Sequence, residues 1–313
     1  WGADVTIDFV AALKNGDLPP VSELNSGFVR PKYPQQIMHA YYQASLVAEL
    51  IERDHGERAL RDMLRAYKDG KSNEQVFRDV LRTELPAFDA KFDAYLKQKF
   101  ARQLAAIDVP PRIDYASGPL QLAGEFVDAM MAAREHMEAE RYAEAVRDAE
   151  RARAAFPEYA AANGPYRLLH EIHTRTGDRR GAIEALRAQT LRNERDYEAN
   201  LLLADLLAEQ NDRAGAAAAL ERAIYIYPYD AKLHDRLAQH YTALKQYPKT
   251  VRERRALLAL APVNRADALY RLALALADAG ERDEARRQVL RALEIAPNFA
   301  EAQDLLLRVR GGS

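Results

Sequence analysis

Three histidines are the first candidates for metal chemistry in this sequence of 313 residues. His170 and His173 lie three residues apart, which places both side chains on one face of a helix. His136 occupies the position of His173 one helical repeat earlier, so the three imidazoles could meet and bind a transition metal. The same positions are packing positions in a helical repeat. We therefore expect packing histidines here and no metal site.

Other catalytic signatures are absent from the sequence. It contains no cysteine, which excludes disulfides and thiolate metal ligands. It contains no phosphate-binding loop, no nucleophile elbow, no dinucleotide fingerprint and no His-Glu-x-x-His zinc motif. The segment His170-Glu171-Ile172-His173 has the wrong spacing for that motif. We expect no cofactor bound by this chain alone.

The overall composition and net charge limit the classes of partner that this chain is expected to bind. Hydrophobic residues make up 48 % and charged residues 29 %, as in ordinary globular proteins, and the formal net charge is −2. Such a balance favours neither nucleic acid nor an anionic membrane as a partner. No apolar run is long enough to predict a membrane span. The lack of cysteine fits a cytoplasmic protein and a periplasmic or exported one equally, so localisation stays open.

The two ends suggest a piece of a longer protein. The sequence starts at Trp1 without a signal-like segment, and it ends in Gly311-Gly312-Ser313. We expect that this chain was excised or processed from a larger one.

The elements that position these residues follow a repeat. The stretch 200–228 contains two short helical patterns, a polar break and the closing Pro228. Pro262 and Pro297 close the next two units, at spacings of 34 and 35 residues. Helix pairs with a period in this range stack into solenoids, because one pair cannot bury its apolar face alone. The recurring anchor residues are Ala133, Ala145, Ala152 and Pro157, then His170, Ala182, Gln189 and Glu194, then Ala204, Ala216, Ala223 and Pro228, then Ala238, Thr250, Leu257 and Pro262, and finally Ala273, Ala285, Ala292 and Pro297.

This pattern resembles the tetratricopeptide repeat family from about Leu122 to the C-terminus. The resemblance implies an all-α chain whose residues 122–297 form about five helical hairpins in a right-handed α-solenoid. Residues 298–313 would form a capping helix and tail. The second unit is degenerate, because Gln189 and Glu194 stand where the family has alanine and proline.

The family resemblance also implies a binding groove lined by the first helix of each hairpin. The partner would be a protein or a peptide. The groove is mixed in charge and lacks the lysine and asparagine clamp that the family uses to hold a terminal carboxylate. The alternative is that these residues are solvated and bind nothing. The candidate groove residues are Arg167, Glu171, Arg175, Asp205, Glu209, Lys232, Asp235, Gln239, Tyr270 and Asp278.

Two further surface features have simpler interpretations. The aromatic run Tyr225 to Tyr229 lies at the end of a second helix, which favours packing between repeats over recognition. The basic cluster of Arg252, Arg254 and Arg255 is interpreted as a solvated face.

A separate helical domain, residues 1–108, is predicted before the repeats, followed by a linker at 109–121. Apolar spacing predicts helices at 3–14, 34–55, 57–67 and 87–106. The predicted apolar stripe of the second helix consists of Ile37, Tyr41, Ala44, Leu46, Val47, Leu50 and Ile51. Ser72 and Gln75 form a capping box that starts a further helix ending near Thr83. The proline-containing segment 17–31 is predicted to be a loop.

The helix at 34–55 resembles the C-terminal helical half of gluzincin metallopeptidases. Its Tyr41-Tyr42-Gln43-Ala44-Ser45 aligns with a family motif of Tyr-x-Lys-Gly-Ala, and an apolar stripe follows it. The resemblance implies that Tyr41 stabilises the oxyanion, or Tyr42 if the register shifts by one. Gln43, Ala44 and Ser45 depart from the family's Lys-Gly-Ala. The zinc-binding helices of the family precede this tyrosine, so zinc would be present only with an upstream half.

Three functions follow as hypotheses. The leading one is a protein- or peptide-binding repeat module attached to a truncated peptidase-like domain that is not catalytic by itself. The second is part of a zinc metallopeptidase in which Tyr41 serves a site completed from upstream. The third is a structural scaffold.

Overall fold

The computed structural model describes residues 5–110, 113, 115 and 122–310. Most of the predicted linker, residues 109–121, lies outside the described residues. The chain divides into two compact units, Trp1–Thr176 and Gly177–Ser313. Within the described ranges there is no strand, only an isolated antiparallel bridge between Asp108 and Ala123. The prediction of an all-α chain is confirmed.

Unit 1 contains ten α-helices within the described residues. Their bounds are α1 Ile7–Asn15, α2 Leu24–Val29, α3 Gln36–His55, α4 Glu57–Lys68, α5 Asn73–Leu81, α6 Leu85–Lys99, α7 Ala101–Ala106, α8 Glu125–Glu138, α9 Tyr142–Ala155 and α10 Pro165–Arg175. The predicted capping box at the start of α5 is present, with Ser72 and Gln75 each bonded to the other's backbone.

The prediction of a loop over 17–31 was wrong. After Pro20 the chain makes a short 3-10 turn, Val21–Glu23, and then α2. The turn is fixed by Asp89 of α6, whose carboxylate accepts from the Ser22 backbone at 3.1 Å and from its hydroxyl at 2.6 Å. Helix α2 packs closely on α3, because a Cβ on Gly27 would lie 2.9 Å from that of Ala40. Tertiary contacts thus order a segment whose prolines suggested irregularity.

The predicted long helix at 87–106 was also incorrect in its bounds. Helix α6 begins at Leu85, because Pro86 sits in its first turn, where a missing N–H costs nothing. It ends at Phe100, which separates α6 from α7 and has a non-helical φ of −104° and ψ of 21°. Phe100 is buried against the rings of Phe9 and Tyr42.

Helix α3 does not bury the predicted stripe along its first half. Ile37 and Tyr41, expected on the apolar face, are exposed by 37 % and 48 %. The buried side consists of Gln36, His39 and Gln43, followed by Leu46 and Leu50. The buried amides hold the preceding segment: Gln43 Nε2 donates to the carbonyl oxygen of Pro19 at 2.6 Å.

Unit 2 is a stack of helical hairpins. Its helices are α11 Arg179–Arg192, α12 Tyr197–Glu209, α13 Arg213–Ile226, α14 Ala231–Ala243, α15 Tyr247–Ala259, α16 Arg265–Asp278, α17 Arg282–Ile295 and α18 Ala300–Arg310. The hairpins are α12–α13, α14–α15 and α16–α17, and each packs on the next. The predicted capping helix is therefore present as α18.

Small residues occupy the crossings, as the repeat pattern predicted. Ala204, Ala216 and Ala223 are fully buried, and so are Ala273 and Ala285 in the last hairpin. Where Thr250 replaces the usual alanine, its hydroxyl accepts from Thr242 Oγ1 at 3.4 Å. The buried Thr250 hydroxyl thus has a hydrogen-bond partner on the other helix of its hairpin.

Side chains cap the helices and set their starting points. Asp196, Asp212 and Asp230 precede α12, α13 and α14, and each carboxylate accepts from backbone N–H groups of the first turn. A side-chain cap of this kind stabilises a helix by about 1 kcal/mol. The turn inside each hairpin passes through the left-handed region at Asn211, Lys245 and Gly280.

A buried hydrogen-bond network joins the helices of the middle hairpin. His234 Nδ1 of α14 lies 2.6 Å from Glu253 Oε2 of α15, and Nε2 lies 3.0 Å from the carbonyl oxygen of Pro228. Both neighbours are hydrogen-bond acceptors, so the buried ring is held between α15 and the loop before α14. Arg252 Nε donates to the other oxygen of Glu253 at 2.6 Å. The carboxylate thus ties α14 to α15, and the His234 ring ties α14 to the preceding loop.

Glu253→Gln should destabilise this hairpin. The substitution keeps the side-chain volume but replaces the carboxylate that meets His234 and Arg252 by a neutral amide. Loss of hydrogen bonds to a charged group costs about 1.5–3 kcal/mol. Hydrogen exchange should show faster opening of α14 and α15, and urea denaturation a lower free energy of unfolding. Glu294→Gln, at an exposed position of α17, is the matched control and should change stability by no more than about 0.5 kcal/mol. Equal stability of the two variants would show that the network contributes little.

Candidate functional site

The predicted groove residues of the second repeat lie in unit 1, on α10. Glu171 and Arg175 are exposed, whereas Arg167 is buried, with 7 % of its surface accessible. Arg167 is therefore not available as an exposed groove residue. The remaining predicted groove residues belong to unit 2.

In unit 2 a pocket of about 330 Å³ lies between the first helices of two hairpins, α14 and α16, with α15 beneath them. It brings together two of the predicted residues, Gln239 and Asp278. Its size is in the range of small-molecule and side-chain sites. The full lining is Gln239, Thr242, Ala243, Thr250, Arg254, Arg271, Leu274, Ala275 and Asp278. We call this the α14–α16 pocket.

A hydrogen-bonded network fixes the charged side of the pocket. Asp235 of α14 accepts from Gln239 Nε2 at 2.7 Å through Oδ2, and its other oxygen accepts from Arg254. Arg271 Nε donates to Asp267 Oδ2 at 2.7 Å. The carboxamide oxygen of Gln239 and the exposed carboxylate of Asp278 are the acceptors left for a ligand.

Four predicted residues lie elsewhere on the first helices of the hairpins, α12, α14 and α16. Asp205 is paired with Arg236, and Glu209 lies 3.7 Å from Arg179. Lys232 is exposed at the start of α14. Tyr270 packs its ring against Phe299, with centroids 5.0 Å apart. None of the four lines the α14–α16 pocket.

The sequence interpretation missed the two arginines of the pocket. Arg254 was placed on a solvated face, but it is 8 % exposed and bonded to Asp235, so that interpretation was wrong for this residue. Arg252 and Arg255 do lie at the surface and pair with Glu221 and Glu281. The signal available in the sequence was the helical spacing: Arg254 lies four residues after Thr250, which packs at the helix crossing.

The aromatic run does not pack between repeats as predicted. Tyr225 and Tyr229 are 89 % and 71 % exposed, and Tyr227 is 52 % exposed. Tyr227 meets Tyr197 of its own hairpin edge-on, with centroids 6.4 Å apart, and it meets Tyr229 at 6.1 Å. The loop is fixed instead by Tyr197, whose hydroxyl donates to Asp230 Oδ2 at 2.8 Å. That bond and burial raise the pKa of Tyr197 to about 12.

The three histidines have separate surroundings. His136 Nδ1 lies 2.7 Å from Asp148 Oδ2 of α9, and His170 is buried. His173 is half-buried. Among the residues that the structure describes, no group of three or more His, Asp or Glu side chains is arranged to hold a metal ion.

No described helix combines the length and apolarity needed to cross a membrane.

Tyr41 faces outward from α3. Nearly half of its surface is accessible, and its ring meets Phe28 of α2 edge-on, with centroids 4.9 Å apart. Tyr42, the alternative in a shifted register, packs on Phe9 at 4.7 Å. Of the two tyrosines, Tyr41 is the more accessible to a substrate.

His39 lies two residues before Tyr41 on the buried side of α3. Its Nδ1 is 3.0 Å from the Tyr33 hydroxyl, and its ring meets Phe9 edge-on. Removal from water disfavours the charged ring and lowers the pKa of His39 to about 4. His39 is therefore a neutral histidine whose burial depends on the fold of unit 1.

Comparison with known families identifies the repeats. Models of the tetratricopeptide repeat match residues 172–231 and 266–299. The chain therefore contains tetratricopeptide repeats, and both matches fall within the region predicted to hold them. No curated protein sequence gives a significant match.

Several solved structures share some similarity with the chain. A crystal structure of MamA is 21 % identical over 56 % of this chain and 94 % of that one, with a TM-score of 0.38. YrrB, described as a TPR protein with an unusual peptide-binding site, is 15 % identical over 57 % and 90 %, at 0.39. The first TPR of Spaghetti (RPAP3), bound to an HSP90 peptide, is 21 % identical over 36 % and 90 %, at 0.31. These similarities are low, so the repeat assignment rests on the family models.

Mild acid should destabilise unit 1 through His39. The folded-state pKa, about 4, is below the ordinary value of 6.5, so the unfolded chain binds the proton first. The stabilisation is complete above pH 6.5 and is lost as the pH falls from there to about 4, by up to ~3 kcal/mol. His39→Gln, which can still accept from Tyr33 but cannot titrate, should flatten this dependence in urea denaturation measured across that pH range. His55→Gln, exposed on the same helix, should retain it. An unchanged pH profile in His39→Gln would contradict the assignment.

Proposed function

We propose that unit 2 is a protein- or peptide-binding module, and that the α14–α16 pocket receives part of an extended segment of its partner. The observation that carries the proposal is the position of Gln239 and Asp278. Both come from first helices of successive hairpins, and both line one pocket. The tetratricopeptide repeats in this region support a binding role.

The chemistry of the pocket suits a peptide backbone with a polar side chain. Gln239 and Asp278 offer acceptor oxygens for backbone N–H groups, and the Arg254 and Arg271 guanidinium groups offer donors. Each arginine already has a carboxylate partner, which holds its side chain in place before a ligand arrives. Leu274 and Ala243 provide the apolar contact. Pre-ordered groups of this kind reduce the entropy cost of binding.

Removing the two free acceptors should weaken binding. The double variant Gln239→Ala, Asp278→Ala is expected to lose at least tenfold in affinity, about 1.4 kcal/mol, for peptides selected on the intact chain from a random display library. Fluorescence anisotropy with the labelled peptide measures the loss. The matched control is Gln210→Ala, Asp283→Ala, which removes the same groups at exposed positions outside the pocket.

Two results would oppose this assignment. Equal losses in the double variant and its control would place binding elsewhere. Selection that yields no peptide with measurable affinity would favour the scaffold hypothesis, in which unit 2 only positions other elements.

A catalytic role of residues 1–108 is the second candidate, and the exposure of Tyr41 is the observation that favours it. The resemblance to gluzincin peptidases would give Tyr41 contact with the reacting carbonyl. The described residues do not fit the zinc ion of that family, since they offer no group able to hold a metal. We therefore propose that residues 1–108 are peptidase-like in fold but not catalytic in the isolated chain.

Peptidase assays can decide whether residues 1–108 are catalytic or not. The chain is expected to bind no stoichiometric zinc in elemental analysis and to hydrolyse no peptide, whether Tyr41 is present or replaced in Tyr41→Phe. Chelator-sensitive hydrolysis that falls in Tyr41→Phe but persists in Tyr67→Phe would establish the catalytic candidate instead. Tyr67 is the suitable control because it is a tyrosine of α4 with 39 % exposure.

A further inference from the structure

A second pocket of unit 2, of about 430 Å³, lies on the other side of the hairpins from the α14–α16 pocket. It is formed between two second helices, α11 and α13, and Leu203 and Leu207 of α12 form its floor. Leu191 stands at its rim with 76 % of its surface exposed. The remaining lining residues are Arg187, Thr190, Glu194, Gly215, Ala218 and Arg222. We call it the α11–α13 pocket.

The next interface of the same stack shows what normally fills this space. One repeat of 34 residues later, Gly215 and Ala218 correspond to Lys249 and Arg252 of α15. Their long side chains cover the junction of α13 and α15: Lys249 Nζ and Arg252 Nη2 lie 3.5 Å and 3.1 Å from Glu221 Oε1. Both cations also stand over the ring of Tyr241, at 4.9 Å and 5.9 Å from its centroid. The α11–α13 pocket is open because α13 carries only Gly215 and Ala218 at the two positions that fill the next interface.

The charge at this position is reversed between the two interfaces. Glu221 corresponds to Arg187 one repeat earlier, and Tyr241 corresponds to Leu207. The filled interface therefore places basic side chains on an acid and an aromatic ring. The open pocket instead presents a basic residue and a leucine. A group that fills it by the same logic must be acidic and apolar.

Arg222 is a second basic residue of the pocket that favours an acidic ligand group. Its Nε donates to the side-chain oxygen of Asn200 at 2.8 Å, which leaves Nη1 and Nη2 for a ligand. Within the described part of the chain, no carboxylate lies within ion-pair distance of it. Burial lowers the pKa of Arg222, against the opposing influence of Glu194, so its charge is incompletely compensated. Arg187 has a looser pairing, with Asp212 at 3.7 Å.

The charges that face the pocket are Arg187, Arg222 and Glu194, with Asp212 behind Arg187. Glu194 stands where other repeats carry the closing proline, so the degenerate end of the second repeat forms one wall. The connection there is held by a side chain instead: buried Gln189 donates from Nε2 to Asp196 Oδ2 at 2.6 Å. The departures from the repeat pattern thus accompany the pocket.

We propose that the α11–α13 pocket binds an acidic segment of a partner protein through a carboxylate side chain and a neighbouring apolar one. The carboxylate meets the outer nitrogens of Arg222 and the guanidinium of Arg187. The apolar side chain packs on Leu191, Leu203 and Leu207. This site is distinct from the α14–α16 pocket and does not depend on the function proposed for it.

The test uses the intact chain with ¹³C-labelled leucine methyl groups and three acetylated, amidated hexapeptides. They alternate Leu with Glu, Leu with Gln and Leu with Lys. The Leu–Glu peptide is expected to shift the methyl signals of Leu191, Leu203 and Leu207 with millimolar affinity, about tenfold tighter than the Leu–Lys peptide. Raising the salt concentration should weaken the Leu–Glu peptide selectively.

Two substitutions on α13 form the matched pair. Ala218→Arg places in this pocket the side chain that fills the next interface, and it should reduce Leu–Glu binding about tenfold. Ala214→Arg adds the same side chain outside the lining and should leave binding unchanged. Both alanines are exposed, so neither variant threatens the fold. Arg222→Gln should weaken the Leu–Glu peptide several-fold and leave the Leu–Gln peptide unaffected.

Three outcomes would overturn the proposal. The first is no response of the three leucines to millimolar Leu–Glu peptide. The second is an equal response to the Leu–Glu and Leu–Lys peptides. The third is equal binding by Ala218→Arg and Ala214→Arg, which would place the peptide outside the pocket.

Discussion

Close contact of helices at alanine is the constraint on which unit 2 depends. Ala204 of α12 and Ala216 of α13 are fully buried where the helices of one hairpin cross, and Ala223 is buried where the next hairpin packs. Without atoms beyond Cβ, the two backbones can approach, whereas a larger side chain in such a packed interior costs about 1–3 kcal/mol. These few positions fix the spacing of the stack. The others are free to differ from repeat to repeat.

That freedom explains why pockets occur at particular interfaces. The space between two second helices is filled or open according to the length of the side chains that face it. Lys249 and Arg252 fill it beside α15, and Gly215 and Ala218 leave it open beside α13. The side chains on the first helices can therefore vary independently of those on the second helices. One array can carry one site between first helices and another between second helices.

The repeats were predictable because their constraint recurs in the sequence at a regular period. The same period gave the positions of Gln239 and Asp278, since every first helix of a hairpin presents equivalent residues. Arg254 was not predictable from composition. Its spacing from Thr250 was the available signal, and its bond to Asp235 shows how the buried guanidinium is satisfied. Tyr225 and Tyr229 were misplaced because the end of a second helix was equated with packing between repeats, although their loop is fixed by a hydrogen bond of Tyr197.

In unit 1 the prediction of the buried face failed for a different physical reason. The first half of α3 buries Gln36, His39 and Gln43, because the neighbouring segment needs partners for its backbone and for the Tyr33 hydroxyl. A hydrophobicity pattern cannot show this need, since the partner groups belong to a segment without periodicity. Once these polar residues face inward, helical geometry turns Ile37 and Tyr41 outward. The exposure of Tyr41 therefore has a structural cause of its own, and only a loss of turnover on its substitution would give it a catalytic meaning.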